Sequence, residues 1–219
     1  MLNCLFGVLG SAQHPFLLKI MRQFISLSLF AGLLIGIAGL VFLNVGGLGG
    51  AVLFAFGLMC VTVSKSLLFT GKAGFLPYKE SLPLIPMVLL NALGCLITAY
   101  IAIQAKNPKM LATLDSIMAM REAATWYMLL VASVGTGVIV TLAVYGVRKG
   151  TYLPLLYGVP VFIMCGLPHS IADAFYYWVA ILNGNFAAWM ITAWLMSVVG
   201  NYIGCNLPRW FMGKEFESN

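Results

Sequence analysis

Two imidazoles occur in the chain, His14 and His169, and only His169 stands inside a long apolar stretch, with Ser170 beside it and Asp173 four positions on. An unpaired polar group in hydrocarbon is costly, so an intramembrane His, Lys or Asp is a functional candidate by default. The spacing puts His169 and Asp173 on one helical face, where the carboxylate can hold the imidazole. Lys65, in a different apolar stretch, is the alternative partner of Asp173, and that pair would be structural. Near the end of its segment Lys65 would instead snorkel. Thr70 opens Thr70-Gly71-Lys72-Ala73-Gly74, a second polar interruption. Such groups can donate hydrogen bonds, or a proton, to a small anion. Read without function, the histidine would bond a carbonyl and serve helix packing.

Other chemistries lack their residues. No nucleophile stands at motif spacing from a base, and neither an H-E-x-x-H pair nor a phosphate-binding loop occurs, so the chain is not expected to be an enzyme. The cysteines Cys4, Cys60, Cys95, Cys165 and Cys205 form no CxxC pair and are read as free thiols, with no metal and no cofactor expected.

The elements that must hold these residues are membrane helices. Of the 219 residues, 62% are hydrophobic and 8% charged, against roughly half and a quarter in soluble proteins. A crossing takes about 20 apolar residues, so a single transmembrane domain of about six crossings uses the whole chain, 1–219. The net charge of +6 does not point to nucleic acid, because the Lys and Arg residues sit at segment ends and form no block. The lipid bilayer is the expected partner. Met1 to Phe16 lacks the basic region of a signal peptide and is expected to form an interfacial stub.

The first crossing is expected over about Phe24 to Leu43, followed by a turn at Gly46-Gly47-Leu48-Gly49-Gly50. The second starts near Ala51 and reads apolar to Phe69, where Thr70 to Gly74 and then Pro77 interrupt the ladder. The third, about Leu82 to Ile103, holds Asn91 in mid-span, and the polar segment after it reads as the longest loop. The fourth, Thr125 to Val147, carries Gly135-Thr136-Gly137 for close helix approach. Tyr152 to about Leu182 is too long for one straight crossing and is interrupted at Gly166-Leu167-Pro168-His169-Ser170. The sixth, Phe186 to Leu207, holds Asn201.

Asn91-Ala92-Leu93-Gly94-Cys95 and Asn201-Tyr202-Ile203-Gly204-Cys205 share the pattern N-x-x-G-C. The expected fold is therefore all-α, with six transmembrane helices in two three-helix repeats, about 24–103 and 125–207, whose second and fifth helices are broken. Three crossings per half is an odd number, so the halves insert with opposite topology, as in channels and transporters whose sites lie at broken helices. Freed backbone N–H groups and half-helix N-termini there can bind an anion. Phe54 and Phe162 are candidates for apolar constrictions on either side of that polar waist, although packing or lipid contact is the commoner role of such rings. With a cytoplasmic N-terminus, Lys19, Arg22, Lys72, Lys79, Arg148, Lys149, Arg209 and Lys214 fall inside and only Lys106, Lys109 and Arg121 outside. That balance favours both termini in the cytoplasm.

These strings resemble the formate/nitrite transporter family over Phe24 to about Leu207. Leu68-Phe69-Thr70-Gly71 is similar to that family's L-F-T-G break, His169-Ser170-Ile171-Ala172 to its E-H-S-[VI]-A-N break, and Gly200-Asn201-Tyr202-Ile203-Gly204 to its G-N-I-I-G segment. The resemblance implies an aquaporin-like protomer, a homopentamer in the cell inner membrane, and a channel for small monovalent anions or their conjugate acids, of the formate, nitrite or hydrosulfide type. It implies Thr70 and His169 at the pore centre, Phe54 and Phe162 as the constrictions, and Arg121 as the vestibule cation where the family has lysine. Lys65, Asp173, Asn91 and Asn201 are read as supporting polar residues. The chain departs from the family at Pro168 and Leu67, which replace acids, at Asp173, which replaces an asparagine, and at Gly137, where an asparagine is frequent. The half-helix after Thr70 is expected to be short.

A bare carboxylate-sized ion entering a low-dielectric constriction faces a cost on the order of 20 kcal/mol in the Born limit, so it must be neutralised or solvated. The expected mechanism concentrates the anion through Arg121, Lys106 and Lys109. The waist then donates hydrogen bonds or a proton, coupling transport to protons through His169. One rival is an aquaporin-like pore for neutral solutes, which predicts two Asn-Pro-Ala motifs that this chain lacks. Another is a non-conducting scaffold in which His169, Asp173 and Lys65 only join helices.

Overall fold

A computed structural model describes residues 14–105, 107–213 and 216, and the regular elements among them are helical. In chain order they are α1 (His14–Val45), α2 (Gly47–Val63), α3 (Phe69–Ala73), a 3-10 turn (Tyr78–Glu80), α4 (Leu84–Gln104), α5 (Pro108–Ala123), α6 (Trp126–Arg148), α7 (Leu153–Met164), α8 (Ser170–Leu182) and α9 (Trp189–Met212). Four of them, α1, α4, α6 and α9, are long and apolar enough to cross a bilayer. The chain is a multi-pass membrane protein.

Two pairs of long helices set the frame, α1 along α4 and α6 along α9. Glycines of the N-x-x-G-C segments permit the close approach. A Cβ on Gly94 would lie 2.1 Å from the Leu29 carbonyl oxygen, and one on Gly204 would lie 2.0 Å from that of Val134. No side chain fits there. The short helices then pack across the two frames, with α8 against α4 and α1, and α3 against α6 and α9.

Between α2 and α3, and again between α7 and α8, the chain leaves the helix in the same way. The Lys65 and Ser66 N–H groups donate to the Thr62 and Val61 carbonyls at 3.2 and 3.0 Å, and those of Gly166 and Leu167 donate to Ile163 and Phe162 at 3.0 Å each. These are Schellman closures, which place one residue in the left-handed region. That residue is Lys65 in the first case, at φ 55°, and Gly166 in the second, at φ 67°.

Four expectations change. The turn at Gly46 to Gly50 shrinks to Gly46, at φ 71°, because Gly47 to Gly50 already lie in α2, with Gly47 as its first residue still at φ 54°. The polar segment read as a loop is the 16-residue α5, started by Asn107, whose side chain accepts from the Lys109 N–H at 3.0 Å, and by Pro108 in the first turn. The first interruption lies at residues 64–68 and not at Thr70 to Gly74, because the chain closes off α2 at Lys65 and Thr70 already stands in α3, which at five residues is short as expected. Of the stub expected over Met1 to Phe16, residues 14–16 already belong to α1, which continues the apolar ladder N-terminally, while residues 1–13 with Cys4, and the charges Lys106 and Lys214, lie outside the described residues.

Candidate functional site

An interrupted helix exposes backbone groups that hydrocarbon cannot satisfy. Here each interruption is clamped by one asparagine. Asn91 Oδ1 accepts from the Phe69 N–H at 2.8 Å, while its Nδ2 donates to the Ser28 and Leu67 carbonyls at 2.7 and 2.9 Å. Asn201 repeats this, accepting from the Ser170 N–H at 2.8 Å and donating to Ser133 and Pro168 at 2.8 and 3.1 Å. Both donors of each amide are used within the protein. The cysteines of the same motif add a crossed pair of contacts: Cys95 Sγ lies 3.3 Å from the Ile171 carbonyl and 3.2 Å from that of Gly32, with one hydrogen between the two, and Cys205 Sγ donates to that of Thr70 at 3.4 Å.

His169 is the N-cap of α8, where its Nδ1 accepts from the Ala172 N–H at 3.1 Å. An imidazole nitrogen that accepts carries no proton, so the proton of the neutral ring sits on Nε2. Nε2 lies 3.1 Å from Thr70 Oγ1. The threonine oxygen therefore accepts, and its own hydrogen is available to another acceptor. The structure thus brings Thr70 and His169, 99 positions apart, into one buried hydrogen bond. The same geometry limits the anion-binding role expected of the α8 N-terminus, because Asn201 and His169 already take two of its N–H groups.

The aromatic rings are arranged differently from the expectation of one constriction on each side of the waist. Phe54 and Phe162 meet edge to face with centroids 6.2 Å apart, and Phe162 stacks on His169 at 5.5 Å. Packing against each other, they form a single aromatic layer. A cavity of about 100 Å³ adjoins it, lined by Phe162, His169, Arg121, Asp173 and Tyr176 among others. With about 30 Å³ per water molecule, that space suits a solute of a few heavy atoms.

Asp173 holds neither His169 nor Lys65 with its side chain. It pairs with Arg121, whose Nε and Nη2 lie 3.2 and 3.3 Å from Oδ2 and Oδ1. Arg121 Nη1 also donates to the Gly166 carbonyl at 2.8 Å. The expected vestibule cation is therefore a buried, paired guanidinium in the last turn of α5. Burial works against its charge, but the charge and hydrogen bonds of Asp173, with the nearby Tyr177 and Tyr176, outweigh that and raise Arg121 above its ordinary pKa. Lys65 is exposed at the Schellman turn, and the exposed Lys109 donates to the Val45 carbonyl at the end of α1. Cys60, Cys95, Cys165 and Cys205 are free thiols.

Sequence reasoning missed the Arg121 and Asp173 pair, the capping role of His169, and Tyr176 and Met120 on the cavity wall. Asn107-Pro108 was an available signal for the helix that delivers Arg121.

The family model described as Formate/nitrite transporter matches residues 11–208. Among solved structures, a pentameric formate channel with formate bound superposes with a TM-score of 0.75 at 18% identity, covering 91% of this chain and 98% of that one. An FNT family ion channel gives a TM-score of 0.74 at 17% identity, covering 86% and 89%. No curated protein matches the sequence. The fold is shared with these channels, and the sequence match spans nearly the whole chain: it belongs to the formate/nitrite transporter family.

Proposed function

We propose that this protein is a membrane channel or transporter for small monovalent anions or their conjugate acids, of the formate, nitrite or hydrosulfide type. Its six crossings form two inverted three-helix repeats, and five protomers assemble in the cell inner membrane with both termini in the cytoplasm. The formate-bound pentameric neighbour supports the assembly and the solute class. The observation that carries the reading is the buried Thr70 and His169 pair, set where two interrupted helices meet, below the Phe162 ring and beside a cavity of small-solute size.

In this reading the Thr70 hydroxyl is the donor that meets the solute. His169 fixes its direction by giving it the Nε2 hydrogen, and Phe54 with Phe162 keeps water and hydrated ions from following. Arg121 sits on the cavity wall already carrying Asp173. Asn91 and Asn201 hold the two half-helices in place, and Lys65 serves only the turn. Proton coupling runs through the solute: neutral His169 has only its Nε2 proton, which already serves Thr70, and a second proton on Nδ1 would displace the Ala172 cap.

The test is uptake of formate, nitrite, acetate, lactate and hydrosulfide into liposomes containing the protein or its His169→Ala variant. The variant is expected to lose at least about tenfold in flux, the equivalent of one hydrogen bond of about 1.4 kcal/mol. Equal flux in both would remove His169 from the path.

A further inference from the structure

Arg121 reaches the cavity wall with its hydrogen-bonding capacity nearly spent. A guanidinium has five N–H donors and no acceptor. Two are given to the Asp173 carboxylate at 3.2 and 3.3 Å and one to the Gly166 carbonyl at 2.8 Å, while Met120 Sδ stands 3.9 Å from Nη1. Both side chains are buried, at 8% and 2% exposure, and both line the cavity that His169 lines. The titratable neighbours are His169 on the same cavity and the phenols Tyr176 and Tyr177 on α8. The ionic centre of this wall is thus a charge pair of zero net charge, held by a forked contact and anchored to the backbone at the interruption between α7 and α8.

An anion that approached Arg121 would meet a position already filled. To take it, the anion would have to displace Asp173, leaving a buried carboxylate without its partner and with a like charge beside it. A neutral molecule meets no such opposition and can pass on from this wall to His169, which lines the same cavity and holds Thr70 beyond it. We propose that Asp173 is the specificity-determining residue of the path: it acts as the resident carboxylate of Arg121, so that the cavity admits a small weak acid in its protonated, neutral form and does not hold the anion. This rests on the transport reading above.

The experiment compares the full-length protein with Asp173→Asn and Arg121→Lys in liposomes, using formate at fixed total concentration and nitrite as the competing anion. Wild-type uptake is expected to fall about tenfold per pH unit above the acid's pKa, as the neutral form does, and to be indifferent to nitrite at neutral pH. Asp173→Asn releases the guanidinium, so uptake at neutral pH should rise at least about fivefold over wild type and become sensitive to nitrite. Arg121→Lys keeps both charges, and hence assembly, but lacks the fork, so nitrite competition should appear with a smaller amplitude. It decides the question if Asp173→Asn does not assemble.

Binding is read separately, as the shift in melting temperature that formate produces in the detergent-solubilised proteins at neutral pH. The shift should be absent in wild type and present in the variants. Nitrite-sensitive uptake by wild type, or an anion-dependent shift in wild type equal to that of assembled variants, would overturn the role of Asp173. Absence of flux in every protein would count against the transport reading alone, and the melting shifts would still decide Asp173.

Discussion

At the interruption between α2 and α3 the left-handed position is filled by Lys65, and at the one between α7 and α8 it is filled by Gly166. Around these residues the Schellman closures and the asparagine clamps match bond for bond, but the Leu67 N–H donates to the Leu27 carbonyl at 3.2 Å where Pro168 has no N–H to give. The next position that differs is the cap: Leu68 offers α3 no side-chain bond, whereas His169 caps α8 through Nδ1. The repeated parts are therefore scaffold, a means of breaking a helix in hydrocarbon without orphaning its backbone. Chemistry enters where the repeats diverge, with the imidazole from one interruption and the Thr70 hydroxyl from the other.

The comparison can be broken most severely at the clamps. Asn91→Ala and Asn201→Ala each strand one N–H and two carbonyls, so each should cost about 3 kcal/mol in unfolding of the detergent-solubilised protein. A large loss at one and none at the other would show that the interruptions are not equivalent. Next come Gly94→Ala and Gly204→Ala, which push a Cβ into a backbone carbonyl of the partner helix. Forced separation of the paired helices should cost about 2 kcal/mol for each, read from denaturant midpoints. The smallest effect sharpens the one backbone difference. Lys65→Gly places at the first interruption the residue type already used at the second, and relief of the positive φ should stabilise the protein by about 1 kcal/mol in thermal unfolding.

Much of this frame was legible in the chain. Apolar runs located the long helices, Pro168-His169 marked the second interruption, and the N-x-x-G-C echo marked the repeat; the first interruption lies at residues 64–68, ahead of Thr70-Gly71, inside a stretch that reads as uninterrupted apolar helix. What escaped was contact between distant side chains. Asp173 had two other claims, on His169 four positions away and on Lys65 as the other intramembrane charge, and nothing in spacing favours a partner 52 positions off on another helix. Arg121 was read as a loop cation because α5 mixes charged and apolar residues without an evident stripe. Phe54 and Phe162 were assigned to opposite sides because their places in the chain say nothing of how α2 and α7 face each other.

The crossed thiols carry a consequence for biosynthesis. Cys95 reaches forward to the carbonyl of Ile171, and Cys205 reaches back to that of Thr70. When the ribosome has released only the first three crossings, Cys95 has no Ile171 to meet, and α3 lacks the α6 and α9 surfaces that will bury it. Each half is the mould in which the other sets. The first half can set its own clamp, Asn91, but α3 stays an unfinished casting until α6 and the last helix, α9, arrive to cover it.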